Sequence, residues 1–297
     1  MTLPFTKVEG IGNDFLVVDL RPGRPGAGHE GPSPEDPAAV RALCDRNFGV
    51  GGDGVLAILP STMADARMRV LNADGSEAEM CGNGIRCVAK VLHDSDPALK
   101  RPRLRIETGA GVLECEVAAP RGVAEEITVD MGRPRLTREE IPLSPAGPGR
   151  ALRETISVGG RTFRFTGVSM GNPHAVFLGE EGDLRQLAEQ FGPTLEVADR
   201  FPKRTNVELA RVRGGEIDLV VWERGCGITL ACGTGACATV VAACLEERMA
   251  PGVPTPVHLP GGPLVITVAE DYSGVRMRGP ARTVFEGSVD LAALLSR

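Results

Sequence analysis

Two cysteines in this chain of 297 residues stand where a thiol would be reactive. Cys81 opens "CGNGIRCVAKVL" and Cys232 opens "CGTGACATVVAAC", each followed by Gly-x-Gly and an apolar run. A helix starting at those glycines presents backbone N–H groups that have no intrahelical partner, and with the macrodipole they favour a carboxylate or phosphate. Gly82, Gly84, Gly233 and Gly235 are expected to turn the backbone tightly and bring those N–H groups close to a ligand. The same field stabilises a thiolate and predicts a cysteine pKa below its ordinary value of about 8.5. Two like groups in opposite protonation states suit the inversion of a stereocentre, because one removes the α-proton from one face while the other returns a proton to the opposite face. Helix ends meeting on one carboxylate would stabilise the enolate-like charge that develops. The residues therefore predict cofactor-free racemisation with Cys81 and Cys232 as the acid–base pair.

The other six cysteines read as small buried hydrophobes: Cys87, Cys237 and Cys244 inside the apolar runs, and Cys44, Cys115 and Cys226 by composition. The spacings contain no C-x-x-C pair and the chain has four His, so no metal site is expected. Eight cysteines diluted over a long chain without a signal peptide predict reduced thiols. A rival of another class is a redox or binding module in which two of these thiols form a reversible disulfide.

The elements that must carry the thiols repeat. Cys232 follows Cys81 by 151 positions, as Glu223 follows Asn72 and as "GGPLVITV" at Gly262 follows "AGVLECEV" at Gly111. Upstream, "SMGNPHAVF" around Asn172 resembles "GIGNDFLVV" around Asn13 at an offset of 159, so the first half holds an extra loop. Residues 21–37, "RPGRPGAGHEGPSPEDP", supply it; their Pro, Gly and charge content reads as surface loop. Each half reads as β-branched strands, a loop ending in Cys-Gly-x-Gly, a small-residue helix enclosed by sheet, and more strands. Surface helices are expected over "DPAAVRALCDRN" and "DLRQLAEQF".

Length predicts two domains. The duplication places them at residues 1–126, with 280–297 returning to that half, and 127–279. A formal net charge of -6 argues against a nucleic-acid partner. No apolar stretch approaches the roughly 20 residues of a membrane span, and the opening residues lack a basic and apolar leader, so a cytoplasmic protein with no membrane partner is expected.

The segments "GIGNDF", "NADGSEAEMCGNGIRC", "ETGAG", "SMGNPHAVF", "RTNVE", "WERGCGITLACGTGACA" and "GPARTVFEG" together resemble the diaminopimelate epimerases over almost the whole chain. A lone "CGTG" also resembles the related proline racemases, which usually carry His where this chain has Asn83. The resemblance implies an α+β fold of two pseudo-symmetric domains, each a curled, mainly antiparallel sheet wrapped around a central helix, with the active site in the interdomain cleft. It implies interconversion of L,L- and meso-diaminopimelate, on the route to lysine and peptidoglycan, without a cofactor and often in a homodimer. Cys81 matches the family's thiol donor and Cys232 its thiolate acceptor, and the amides of Gly82, Asn83, Gly233 and Thr234 hold the reacting carboxylate. Arg224 and Glu223 match the pair that binds the unreactive end of the substrate, a task for which the guanidinium fork is suited. Asn72 and Asn206 join that recognition, Asn13 and Asn172 line the same site, and His174 belongs near the catalytic pair. Glu223 is also a candidate catalytic group.

The sequence departs from the family pattern at Glu9, where relatives commonly carry His, at Gly54, where some carry a ligand-contacting Gln, and at Ile228, where Glu is frequent. The nearest rival function is racemisation of another amino acid, such as proline or hydroxyproline. Such a one-centred substrate would have no use for Arg224 and Glu223.

Overall fold

The structure is a computed structural model that describes residues 2–179 and 181–296. In chain order the elements are β1 (Leu3–Gly10), β2 (Asn13–Asp19), α1 (Pro37–Cys44), β3 (Gly54–Leu59), β4 (Ala66–Asn72), β5 (Glu77–Ala78), α2 (Gly82–Ser95), β6 (Arg103–Thr108), β7 (Gly111–Ala118) and β8 (Glu126–Asp130). They continue with β9 (Glu154–Val158), β10 (Arg161–Ser169), β11 (Pro173–Leu178), α3 (Leu184–Glu196), β12 (Asn206–Arg213), β13 (Glu216–Glu223), β14 (Gly227–Ile228), α4 (Gly233–Leu245), β15 (Thr255–Leu259), β16 (Gly262–Val268), β17 (Val275–Pro280), β18 (Arg282–Val289) and α5 (Leu291–Leu295). The chain forms two compact units, Met1–Val129 with Gly279–Arg297, and Asp130–Arg278.

The two units have the same strand pairing. In the first, β1–β2, β3–β4, β4–β5, β6–β7 and β7–β8 are antiparallel, and β2–β3 and β4–β6 are parallel. In the second, β10–β11, β12–β13, β13–β14, β15–β16 and β16–β17 are antiparallel, and β11–β12 and β13–β15 are parallel. The repeat seen in sequence is thus a repeat of topology, and each sheet is antiparallel apart from two parallel pairs. One strand beyond the repeat edges each sheet, β18 on β1 and β9 on β10. Sequence patterning finds β2, β4, β6, β7, β8, β11, β12, β13, β16 and β17 but misses β1, β5, β9, β10, β14, β15, β18 and β3, the last with five residues in six buried. A strand covered on both faces shows no alternation.

The central helix of each unit is enclosed by its sheet. From Gly82 to His93 every residue of α2 is buried, and α4 is buried from Gly233 to Cys244 apart from half-buried Thr234. Ala, Val, Cys and Gly dominate α4, and such small side chains let strands approach the helix on all sides. Polar residues make α2 different, for Arg86 and Lys90 lie within it at 0% and 5% exposure. Lys90 is satisfied by Asp94 (2.8 Å) and the Ala124 carbonyl (2.8 Å). A second apolar cluster lies outside α4, where Phe163, Phe177, Phe191, Phe165 and Phe201 pack edge-on or tilted between α3 and its strands.

Residues 21–37 form the expected loop between β2 and α1, but it is tied down. Arg21 bonds to Asp19 (2.8 Å) and Asp96 (3.1 Å), and Arg24 pairs with Asp96 as well. The surface helices fall where the patterning puts them, at α1 and α3, with α3 continuing through Pro193 to Glu196. Among the described residues no helix is long and apolar enough to cross a membrane.

Candidate active site

Each thiol occupies the N-cap of its unit's central helix. Cys81 has φ −135° and ψ 116°, Cys232 has φ −124° and ψ 103°, so both are extended residues whose carbonyls accept the first helical bonds. The Cys81 sulfur accepts from the Gly84 amide at 3.3 Å, replacing the oxygen of an ordinary capping side chain. The glycines serve a purpose other than the expected turn. Among the described residues, none of Gly82, Gly84, Gly233 and Gly235 is left-handed, whereas a Cβ on Gly235 would sit 3.0 Å from Glu208 Oε1 and 3.1 Å from Cys232 Sγ. On Gly84 it would lie 3.1 Å from Leu56 and 3.3 Å from Cys81 Cβ. Small residues here leave room for the sulfur.

In the first unit the two-residue turn Ile11-Gly12, with φ of 50° and 84°, closes the β1–β2 hairpin and puts Asn13 at the head of β2. Asn13 Oδ1 lies 4.0 Å from Cys81 Sγ and accepts from Asn83 Nδ2 at 3.3 Å. Its amide donates to Asp53 Oδ2 at 2.6 Å, and Asp53 in turn binds Arg46 at 2.8 Å. Arg86 supports the helix start from within, donating to the Gly82 carbonyl (3.0 Å), Asn83 Oδ1 (2.9 Å) and the Pro280 carbonyl (3.3 Å). Asn72, exposed at the end of β4, is joined to Ser76 (3.0 Å) and not to this group.

In the second unit a continuous polar chain reaches the thiol. Glu208 on β12 and His174 on β11 are both fully buried, and Oε1 lies 2.7 Å from Nδ1. His174 Nε2 lies 3.0 Å from Asn172 Oδ1, Asn172 Nδ2 donates to Thr234 Oγ1 at 3.4 Å, and Thr234 Oγ1 lies 3.6 Å from Cys232 Sγ. Glu223, closing β13, accepts from Thr229 Oγ1 at 2.5 Å. Arg224 extends into solvent with Nη1 on the Lys203 carbonyl (3.2 Å), while its own amide donates to Asn206 Oδ1 (2.9 Å). Asn206 Nδ2 is held by the Pro173 carbonyl at 2.9 Å.

The electrostatics of Cys232 differ from the helix-field expectation of a depressed pKa. Burial drives its pKa well above the ordinary value, and the nearby Glu223 and Glu208 carboxylates add to the rise, against a smaller pull from the Thr234 hydroxyl. Burial also raises Glu208, opposed by His174, and raises Glu223, opposed by its bonds from Thr229 and Cys232. A helix N-terminus contributes only a fraction of a charge, so loss of water around the sulfur, with two carboxylates nearby, outweighs it. As it stands the site holds Cys232 as a thiol.

Of the cysteines read as structural, Cys44, Cys87, Cys115, Cys237 and Cys244 are buried. Burial lifts Cys87 and Cys115 to about 12 and Cys44 and Cys244 to about 11, which leaves them unreactive near neutrality. Cys226 is a correction, since it is exposed in the turn after Glu223 and is no buried hydrophobe. The departures also find their reasons. A Cβ on Gly54 would meet the Leu71 carbonyl at 2.5 Å, so this backbone admits no side chain there. Ile228 packs with Trp222 against the phenylalanine cluster, and Glu9 accepts from the Gly12 amide at 3.0 Å. Sequence reasoning did not find Glu208, Arg86, Asp53 and Glu196. The first three sit beside motif residues, in "RTNVE", "GNGIRC" and "GGDG", which was the available signal.

The family model described as diaminopimelate epimerase matches residues 5–137 and 166–284. A diaminopimelate epimerase of Desulforudis audaxviator is 49% identical over 96% of this chain and 98% of its own, and one of Pelotomaculum thermopropionicum is 48% identical over 95% and 97%. Among solved structures, a hydroxyproline epimerase from Agrobacterium vitis with bound trans-4-OH-L-proline superposes with a TM-score of 0.65 over 97% of this chain and 91% of that one, at 18% identity. That likeness is one of fold: two pseudo-symmetric domains built on curled sheets.

Proposed function

The chain belongs to the diaminopimelate epimerase family, and from that premise we propose that it interconverts L,L- and meso-diaminopimelate by a two-thiol proton transfer that needs no cofactor. One cysteine, as thiolate, takes the α-proton and becomes a thiol; the other, as thiol, gives its proton to the opposite face and becomes a thiolate. Charge and protons balance, and the return reaction exchanges the two roles. The observation that carries this reading is that Cys81 and Cys232 hold the same place, the N-cap of a buried central helix, in two units of identical topology.

The amides of Gly82, Asn83, Gly233 and Thr234 stand at those helix starts, where they would bind the substrate carboxylate and stabilise the carbanion's delocalised charge. Arg224 and Glu223, with Asn206 and Asn72, would hold the distal amino-acid group, while Asn13, Asn172 and His174 orient groups around the sulfurs. Glu223 has a second role, as the base that relieves Cys232 of its proton when substrate ammonium and carboxylate enter. A cytoplasmic homodimer is part of the same proposal, in keeping with an enzyme of precursor biosynthesis.

The test is incubation with L,L-diaminopimelate in D2O, followed by NMR at the α-position. Solvent deuterium should enter without added cofactor, and Cys81→Ala or Cys232→Ala should reduce entry by about a thousandfold or more. Full exchange in either variant would end the two-thiol reading. Racemisation of proline or hydroxyproline is the rival reaction. It predicts that Arg224→Ala leaves turnover intact, whereas a two-centred substrate predicts severe loss. A redox module predicts activity indifferent to reductant and a partner gained on oxidation.

A further inference from the structure

Trp222, the single tryptophan of the chain, is the penultimate residue of β13, immediately before Glu223 and Arg224, and lies across the last turn of α3. Its ring sits so close to Gly192 that a Cβ there would come within 2.7 Å of Cγ and Cδ2. One helical turn further on, Glu196 Oε2 accepts from the indole Nε1 at 2.8 Å. The other oxygen of the same carboxylate accepts from the Gly225 amide at 3.0 Å, and Gly225 has a φ of 79°. Glu196 is 7% exposed, and its backbone carbonyl also accepts from Thr205 N at 3.1 Å, the residue before Asn206. One carboxylate therefore grips both ends of the four-residue turn 222–225, and the two residues between those ends are Glu223 and Arg224.

From this geometry we propose that Glu196 is the positioning residue for distal substrate recognition: it sets where the Glu223–Arg224 turn stands, and so which substrates are held. The Arg224 guanidinium is exposed and, among the described residues, donates to the Lys203 carbonyl, so the direction of the side chain depends on a backbone fixed at Arg224 N by Asn206 and at Gly225 N by Glu196. A carboxylate suits the second task because one oxygen serves the indole while the other serves the Gly225 amide, with Arg204 Nη1 3.5 Å from that second oxygen, which a single amide oxygen cannot do. The inference rests on the reading that Arg224 binds the unreactive end of diaminopimelate.

The experiment compares Glu196→Ala, Glu196→Gln, Arg224→Ala and the double variant Glu196→Ala/Arg224→Ala, measuring KM, kcat and melting temperature with L,L-diaminopimelate. Glu196→Ala should raise KM about tenfold with kcat within about twofold, since binding at a non-reacting end is lost while the chemistry is kept. Glu196→Gln, which keeps one of the two bonds, should fall between. In the Arg224→Ala background, Glu196→Ala should add less than about twofold, because residues that act through one another are not additive. Unchanged KM in Glu196→Ala, a full multiplicative effect in the double variant, or a loss confined to kcat and melting temperature would overturn the proposal. If Arg224→Ala itself leaves KM unchanged, the underlying reading of the distal site fails instead. Emission of Trp222 gives an independent readout: loss of the indole bond should shift it in Glu196→Ala, and an identical spectrum would count against the clamp.

Discussion

His174 Nδ1 and Glu208 Oε1 lie 2.7 Å apart in a site from which both side chains are wholly excluded from water. Asn172 donates its amide N–H to Thr234, so its carbonyl oxygen faces His174, and a carbonyl only accepts. His174 Nε2 must carry hydrogen. A single proton then lies between Nδ1 and Glu208, whose second oxygen has no hydrogen-bond partner among the described residues. The Thr234 hydroxyl, having accepted from Asn172, has its hydrogen to give to the Cys232 sulfur.

That polarity depends on Glu208. Replacement by Leu leaves His174 Nδ1 without a partner and frees the ring to change tautomer, so kcat should fall about tenfold or more. Glu208→Gln can donate an N–H to Nδ1 and should be milder. The tautomer is read by 15N NMR of the ring, and a Leu variant with wild-type kcat and an unchanged ring signal would disprove the relay.

Glu223→Gln separates acidity from catalysis. The Glu223 carboxylate adds to the rise that burial imposes on Cys232, so neutralising it should lower the pH at which Cys232 titrates. The sign follows from removing a like charge beside the thiolate. Alkylation of Cys232 in a Cys81→Ala background should begin at lower pH than with Glu223 present, even as epimerisation in the otherwise native enzyme collapses. Alkylation moved to higher pH would contradict the assignment.

Arg86→Leu strips the donors from the Gly82 carbonyl, Asn83 Oδ1 and the Pro280 carbonyl at once. Leaving buried acceptors unmet should cost about 3 kcal/mol or more, visible as a lower denaturant midpoint. Arg86→Lys can satisfy part of the set and should recover part of that loss.

Asp96 is expected to control the acid limit of the first unit. Burial opposes its ionisation, but bonds from Arg24 and the Ala98 amide hold its pKa below the unfolded value of 3.8. A depressed carboxylate contributes stability that is present above 3.8 and is lost as pH falls through the lower folded value. Thermal melts between pH 6 and pH 2 should therefore show a shallower acid decline for Asp96→Asn, starting from a lower plateau. Identical pH profiles would refute the linkage.

What the sequence determined by itself was periodic and local. The Cys-Gly-x-Gly pair, the 151-residue register and the small-residue helices are all written in consecutive residues, and backbone hydrogen bonding turns such patterns into elements without outside help. The rank of Cys232 as an acid was not legible that way. A helix start favours a thiolate, yet burial overrules it, joined by carboxylates from positions 208 and 223, on strands whose places are decided by packing. The same holds for His174 with Glu208, 34 positions apart, and for Glu196 with Trp222, 26 apart. Desolvation and pairing act through space, so only the tertiary structure determines which buried charges meet and what proton each one keeps.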